Sequence, residues 1–261
     1  MRSTIIAPLA LVAAMLAGSV AAQVESDLHA LFGRDDRVFI EPEGMPWTAV
    51  GKLTFSGSGH CSGAMVSPRV VLTAAHCMFA TGDGAVYDPP VSFLAGYHMG
   101  RNAAEAQVES FWIAAGYDYE KFINGSTMDG LDYAFILLSR PIGLEVGYFD
   151  VYELSIDEIK NAVAQRWDQV TQAGYSGDTE FQLSAHVGCD IVDYYEDNTI
   201  SHECDTLPGD SGSPIFIQRG GEFQVIALDS AVYEGTRPNN IAVDSRAFAD
   251  DLRRYIQVYD P

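Results

Sequence analysis

Beyond its first thirty residues the chain is built of short apolar-rich runs divided by Gly, Pro, Asn and Asp. The runs are rich in β-branched and aromatic residues and too short for most helices, which predicts strands. They span Trp47–Phe55, Ala64–Thr73, Val91–Ala95, Val108–Ala114 and Asp132–Leu138 in the first half. In the second half they span Gln169–Ala173, Phe181–Gly188, Ser213–Gln218 and Phe223–Ala231. Two stretches break the pattern. Ser155 can cap a helix from Ile156 to about Arg166, with Asp157 and Glu158 in its first turn. Ser245 can cap a second helix, whose apolar residues Phe248, Leu252, Tyr255, Ile256 and Tyr259 recur at helical spacing. No internal repeat or low-complexity linker divides the chain. An all-β protein closed by a C-terminal helix is expected.

The N-terminus reads differently. Arg2 precedes the apolar run Ile5–Leu16, and Gly18-Ser19-Val20-Ala21-Ala22 follows. A basic start, a short apolar core and small residues form a secretory signal, and the run is too short to span a bilayer. Residues 1–22 are expected to be removed after Ala22, leaving an exported, secreted or periplasmic protein with no membrane contact.

The chemistry concentrates in Gly209-Asp210-Ser211-Gly212-Ser213. Glycines on both sides let the backbone turn its N–H groups toward one point beside the Ser211 hydroxyl. A nucleophile with convergent N–H donors is what acyl transfer needs, although the same residues also make ordinary turns. Of the six histidines, His76 has the most suggestive setting. The strand Val70-Val71-Leu72 leads through Thr73-Ala74-Ala75 to His76-Cys77, placing the imidazole at the end of a buried strand. The carboxylate candidate is Asp132, which opens the apolar run Tyr133–Leu138 and would be carried inward with it; a buried carboxylate needs a partner. Asp129 lies nearby but in a Met-Asp-Gly turn with no strand behind it. The order His76, Asp132, Ser211 is the reverse of the α/β-hydrolase order, and Ser213 stands where that fold's elbow has glycine.

The segments Leu72–Cys77, Asp132–Leu138 and Pro208–Pro214 resemble the three catalytic blocks of the trypsin-like serine proteases. Cys61-Ser62-Gly63-Ala64 resembles the family's first cysteine block. Asp35-Asp36-Arg37-Val38, Ala173-Gly174-Tyr175-Ser176 and Cys204-Asp205-Thr206 are similar to the bacterial V8-like (glutamyl-endopeptidase-related) branch. The likeness runs over about residues 35–258. It implies two antiparallel six-stranded β-barrels, about 38–140 and 148–245, with the site between them, a crossover near Arg140–Tyr148 and a helix at about 246–258. It further implies Ser211 as nucleophile, His76 as base, Asp132 as orienter, and the backbone N–H groups of Gly209 and Ser211 as oxyanion donors. No cofactor or metal is implied.

The resemblance also places the primary pocket. Asp205 and Thr206 match its base and Ile226–Ala231 its wall; Ser230 matches a serine bonded to the triad aspartate. The glutamate-specific branch has a histidine where this chain has Asp229. Two carboxylates at a pocket base favour a cation, so cleavage after Arg or Lys is expected, with cleavage after Glu or Asp as the alternative. In trypsin-like zymogens a new amino terminus pairs with the aspartate before the nucleophile. Here those would be Val38, freed by a cut after Arg37, and Asp210. Residues 23–37 would then be a propeptide; alternatively they stay attached.

Charge and cysteines narrow the partners. A net charge of −21 argues against nucleic acid; the resemblance implies a protein or peptide substrate, and a monomer is expected. The four cysteines allow three pairings. The two short-range ones, Cys61–Cys77 and Cys189–Cys204, are expected in an exported protein, and the resemblance implies the first. A rival arrangement makes His186, Cys189, His202 and Cys204 a zinc set, at a spacing that fits no standard finger. The acidic loops at Asp83-Gly84 and Glu196-Asp197-Asn198 lack an EF-hand pattern.

Overall fold

The computed structural model describes residues 30–57, 59–80, 86–124, 130–165, 170–233 and 239–261. The signal segment, residues 23–29, Asp83-Gly84, Asp129, Arg166 and Gln169 lie outside them. After β1 (Val38–Ile40), six strands close a barrel. They are β2 (Val50–Thr54), β3 (His60–Met65), β4 (Val70–Thr73), β7 (Ser92–Ala95), β8 (Ala104–Ile113) and β9 (Ala134–Leu138). A two-stranded ribbon, β5 (Phe79–Ala80) with β6 (Val86–Tyr87), stands beside it. Closure leaves no barrel edge unpaired, and Leu53, Val71, Phe93, Phe135 and Ile136 are buried there. The run expected as one strand over Ala64–Thr73 is a hairpin, because Ser67-Pro68-Arg69 turns the chain; Ser67 Oγ accepts the Val70 amide across that turn.

The second half is an open sheet in the order β1-β12-β11-β15-β16-β17-β14-β13. Its strands are β11 (Val170–Gly174), β12 (Leu183–Cys189), β13 (Ile191–Tyr194), β14 (Thr199–His202), β15 (Pro214–Arg219), β16 (Glu222–Tyr233) and β17 (Asn239–Asp244). The short β10 (Asp150–Val151) lies parallel to β16. The sheet does not close, because β1 takes the edge of β12 and β13 extends past β14. The likeness had put residues 38–40 in the first barrel. They pair instead with Leu183–Ala185 of the second sheet.

Among the described residues there are four α-helices: α1 (Tyr119–Ile123), α2 (Gly143–Val146), α3 (Ile156–Gln165) and α4 (Ser245–Tyr259). The helix α2 lies in the crossover expected near Arg140–Tyr148. At the start of α3, Ser155 and Glu158 form a reciprocal cap. The cap of α4 is Asp244, whose carboxylate accepts the Arg246 amide, rather than Ser245. The Ser245 hydroxyl turns inward and donates to the Tyr152 carbonyl at 2.8 Å. Phe248, Leu252 and Tyr255 face the body as expected, but Tyr259 is half exposed. This helix crosses back to the first barrel, where Tyr133 Oη donates to Asp251 at 2.7 Å. Both expected disulfides are present, Cys61–Cys77 and Cys189–Cys204, at sequence separations of 16 and 15. Closing loops of that size stabilises by about 3 kcal/mol each in the chain-entropy account. Bridged cysteines supply no thiolates, so the zinc arrangement fails.

Candidate active site

Two elements of the first barrel carry the His–Asp pair. β4 ends in a tight turn, Ala75–Met78, that bears His76; β9 begins just after Asp132 and holds its carboxylate inside. Asp132 is fully buried. Its Oδ1 accepts the His76 amide at 2.8 Å and its Oδ2 accepts the imidazole Nδ1–H at 2.8 Å. Ser230 Oγ donates to the same Oδ2, as the resemblance implied. A carboxylate only accepts, so Nδ1 carries the proton and Nε2 keeps its lone pair. Burial of the imidazole is the largest single influence on its pKa and acts downward. The charge and hydrogen bond of Asp132, joined by the charge of Asp229, outweigh it, so the His76 pKa ends above its ordinary value.

Ser211 lies across from this pair, and the two side chains line one cleft of about 530 Å³. The loop is fastened from both halves of the molecule. The Ser62 amide donates to the Ser211 carbonyl at 2.9 Å, Ser62 Oγ donates to the Gly209 carbonyl at 2.9 Å, and the Gly212 amide donates to the Asp229 carbonyl at 2.8 Å. Gly209 and Gly212 have φ of +104° and +81°. A Cβ on Gly209 would sit 2.6 Å from the Tyr175 carbonyl, and one on Gly212 would meet Thr73, so only glycine fits either place. Asp210, Gly212 and Ser213 spend their amides on internal carbonyls. Those of Gly209 and Ser211 have no acceptor among the described residues.

The specificity candidates separate. Asp205 is fully buried, and its two oxygens accept the amides of Phe32 at 2.7 Å and Asp36 at 2.8 Å. Its pKa is held below the usual range even though burial, the largest influence, acts the other way; His186 and the two amides favour the charged form. This carboxylate fastens the N-terminal segment and does not face the cleft. Thr206 is buried beside it, its amide on the Ala30 carbonyl at 3.3 Å. Asp229 meets His202, which sequence reasoning placed only in the zinc set. His202 Nδ1 accepts the Cys204 amide at 3.3 Å, so Nε2–H donates to Asp229 Oδ1 at 3.1 Å. Burial pushes the Asp229 pKa up, against the hydrogen bond and charge of His202.

Val38 and Asp210 are not brought together. Val38 pairs with Ala185 in the sheet. Asp210 Oδ2 accepts the Ser176 hydroxyl at 2.6 Å and the Leu207 amide at 2.9 Å, while its buried Oδ1 has no partner. Burial pushes this carboxyl up to about 7, against those two hydrogen bonds. In the loop at Glu196-Asp197-Asn198, Asp197 Oδ1 accepts the Thr199 amide and hydroxyl within the turn.

The chain is similar to known proteins in sequence and in fold. A glutamyl endopeptidase of Bacillus licheniformis is 27% identical over 245 residues, covering 90% of this chain and 71% of its own. A trypsin-like protease of Streptomyces glaucescens is 28% identical over 174 residues, 60% of this chain and 58% of its own. Among solved structures, a Glu endopeptidase superposes with a TM-score of 0.70 at 22% identity, over 86% of this chain and 98% of its own. A thermostable serine protease from an extremophilic microorganism gives 0.59 at 19% identity, over 80% and 96%. The family model described as Trypsin matches residues 39–250, and the chain belongs to that family of serine endopeptidases.

Proposed function

We propose that Ser211 is the nucleophile of this endopeptidase, His76 its general base and Asp132 the group that orients the imidazole. The observation that carries the reading is the Asp132–His76 hydrogen bond at 2.8 Å, in the cleft that Ser211 shares. Ser211 Oγ attacks the peptide carbonyl and passes its proton to His76 Nε2. The amides of Gly209 and Ser211 receive the oxyanion. His76 then protonates the leaving amine, and water repeats the sequence on the acyl-enzyme. Losing one oxyanion donor typically costs ~10²–10³ in rate, and losing the nucleophile costs more. A Ser211→Ala protein is therefore expected to cleave no peptide and to take no fluorophosphonate label. Wild-type turnover by that variant would end the reading; a wild-type protein that neither cleaves peptides nor takes the label would instead be a non-catalytic binding module on this scaffold.

Preference for Arg or Lys before the scissile bond now rests on Asp229, since Asp205 is committed to the N-terminal segment. One Asp229 oxygen is bonded to His202, and the other has no partner among the described residues. A second reading, cleavage after Glu or Asp, is favoured by the name of the Bacillus licheniformis relative. A panel of chromogenic peptides separates them: cleavage after Glu and not after Arg would exclude the first.

Export through residues 1–22 accords with the disulfides. Among the described residues no helix is long and apolar enough to cross a membrane. Activation by a cut after Arg37 draws support from the unpartnered Asp210 Oδ1. It requires β1 to leave β12 and Arg37 to leave Asp35 and Asp178, which hold its guanidinium at 2.8 and 2.9 Å. N-terminal sequencing of active enzyme decides; a start at Gln23 would refute it.

A further inference from the structure

The cleft that Ser211 and His76 line extends over the first barrel. Its far wall is made by Phe55, Gly59 and His60, the Cys61–Cys77 bridge, Phe79 and Asp88. Asp229 and Ser230, which flank the acyl side in the function proposed above, do not line it. A peptide whose carbonyl meets Ser211 and whose preceding side chain enters the primary pocket must therefore send its following residues over this wall.

The wall is firm and carries a defined charge. Phe79 stacks on Tyr119 with centroids 4.6 Å apart and planes 17° from parallel, and meets Tyr87 edge-on at 5.6 Å. The Asp88 amide donates to the Met78 carbonyl at 3.0 Å, and Asp88 Oδ1 accepts the Ser56 hydroxyl at 3.0 Å. The second carboxylate oxygen has no partner among the described residues. His60 does not neutralise it. Its Nε2–H is spent on the Tyr175 carbonyl at 2.5 Å, and burial, the largest influence, holds its pKa below the ordinary value. No Lys or Arg is among the described residues of the lining. Two aromatic faces leading to a half-buried carboxylate fit a long aliphatic stem that ends in a cation.

Resting on the serine-endopeptidase reading, we propose that this wall is a leaving-group subsite that selects Lys or Arg at one of the two positions after the scissile bond. The stem would lie against Phe55 and Phe79, and its cation would meet Asp88.

The net charge of −21 attracts every basic peptide, so the test is a local one. Internally quenched peptides with a fixed acyl half, one set with Arg and one with Glu before the cut, are varied over Lys, Arg, Gln and Glu in the two following positions. Wild-type enzyme at low salt is expected to cleave the Lys and Arg peptides about fivefold faster in kcat/KM than the Glu peptides, the scale of a partly exposed ion pair. Asp88→Asn should remove that ratio and Asp88→Lys invert it. A ratio near one in the wild type, or one that Asp88→Lys leaves in place, would overturn the proposal. Nitroanilides with the same acyl halves carry no leaving-side residue. Failure of wild-type enzyme to cleave them and every peptide would overturn the endopeptidase reading instead.

Discussion

The imidazole of His76 and the ring of Phe122 lie face to face, with centroids 4.9 Å apart and planes 10° from parallel. Phe122 comes from α1, whose N-cap Asp118 accepts the Lys121 amide at 3.2 Å. The stack keeps water from one face of the base and limits the rotation of its ring. Burial already opposes the charged imidazole more than any other influence, and Phe122 contributes to that burial. Replacing Phe122 by Ala should therefore raise the His76 pKa further. The base must be neutral to act, so the acidic limb of the kcat/KM profile should move to higher pH, with a fall of several-fold at neutrality. An unmoved limb would assign Phe122 to packing alone.

Asp229 offers a second pH signature. Its carboxyl is raised, chiefly by burial. An acid raised in this way loses its charge at a higher pH than an ordinary carboxylate as the solution is acidified. KM for peptides with Arg before the scissile bond should thus climb on acidification before ordinary carboxylates titrate. Asp229→Asn should raise KM at neutral pH and flatten its dependence on pH. Steady-state kinetics on one Arg peptide across pH measures both.

Asp205 is expected to matter for stability more than for selectivity. Asp205→Asn weakens the two amide bonds from Phe32 and Asp36. Hydrogen bonds to a charged group contribute about 1.5–3 kcal/mol, which for a chain of this size corresponds to a loss of roughly 5 °C in Tm. The Arg-to-Glu cleavage ratio should change less than in Asp229→Asn. A lost ratio at unchanged Tm would return Asp205 to the pocket.

Asp210 gives a stability prediction with a fixed sign. Its ordinary value is 3.8 and its folded value is about 7. The folded chain therefore holds this proton more tightly than the unfolded one. The stability it adds is complete below about pH 4 and is lost as pH rises through about 7. Asp210→Asn should flatten that part of the Tm-against-pH curve. An amino terminus placed beside Oδ1 would lower the pKa and produce the same flattening in wild-type enzyme, so curves for full-length and N-terminally cut protein should differ.

The His76–Asp132 pair was legible in the sequence because each residue ends or opens a strongly apolar strand, and such strands bury what they carry. The disulfides were legible because their cysteines are close along the chain. The pocket was read less well. Asp205 has the right offset from Ser211, but an offset does not say which way a carboxylate points, and the amides that claim it lie about 170 residues upstream. His202 and Phe122 were missed for the same reason: each meets its partner across the fold, and neither stands in a local pattern. The strands β13, β14 and β17 were missed because their apolar runs are short. The β3–β4 break was missed because the Pro68 turn was read as strand.

The contact between the end of the chain and the first barrel has a bearing on how the enzyme survives its own activity. Asp260, the penultimate residue, accepts the Ser67 hydroxyl at 2.7 Å and the Arg69 amide at 2.8 Å, at the turn that joins β3 to β4. A nick ahead of Asp260 would remove both hydrogen bonds from that turn, next to the strand that leads to His76. The C-terminal segment works as a latch on the barrel that carries His76, and a cut there is expected to lower activity together with stability.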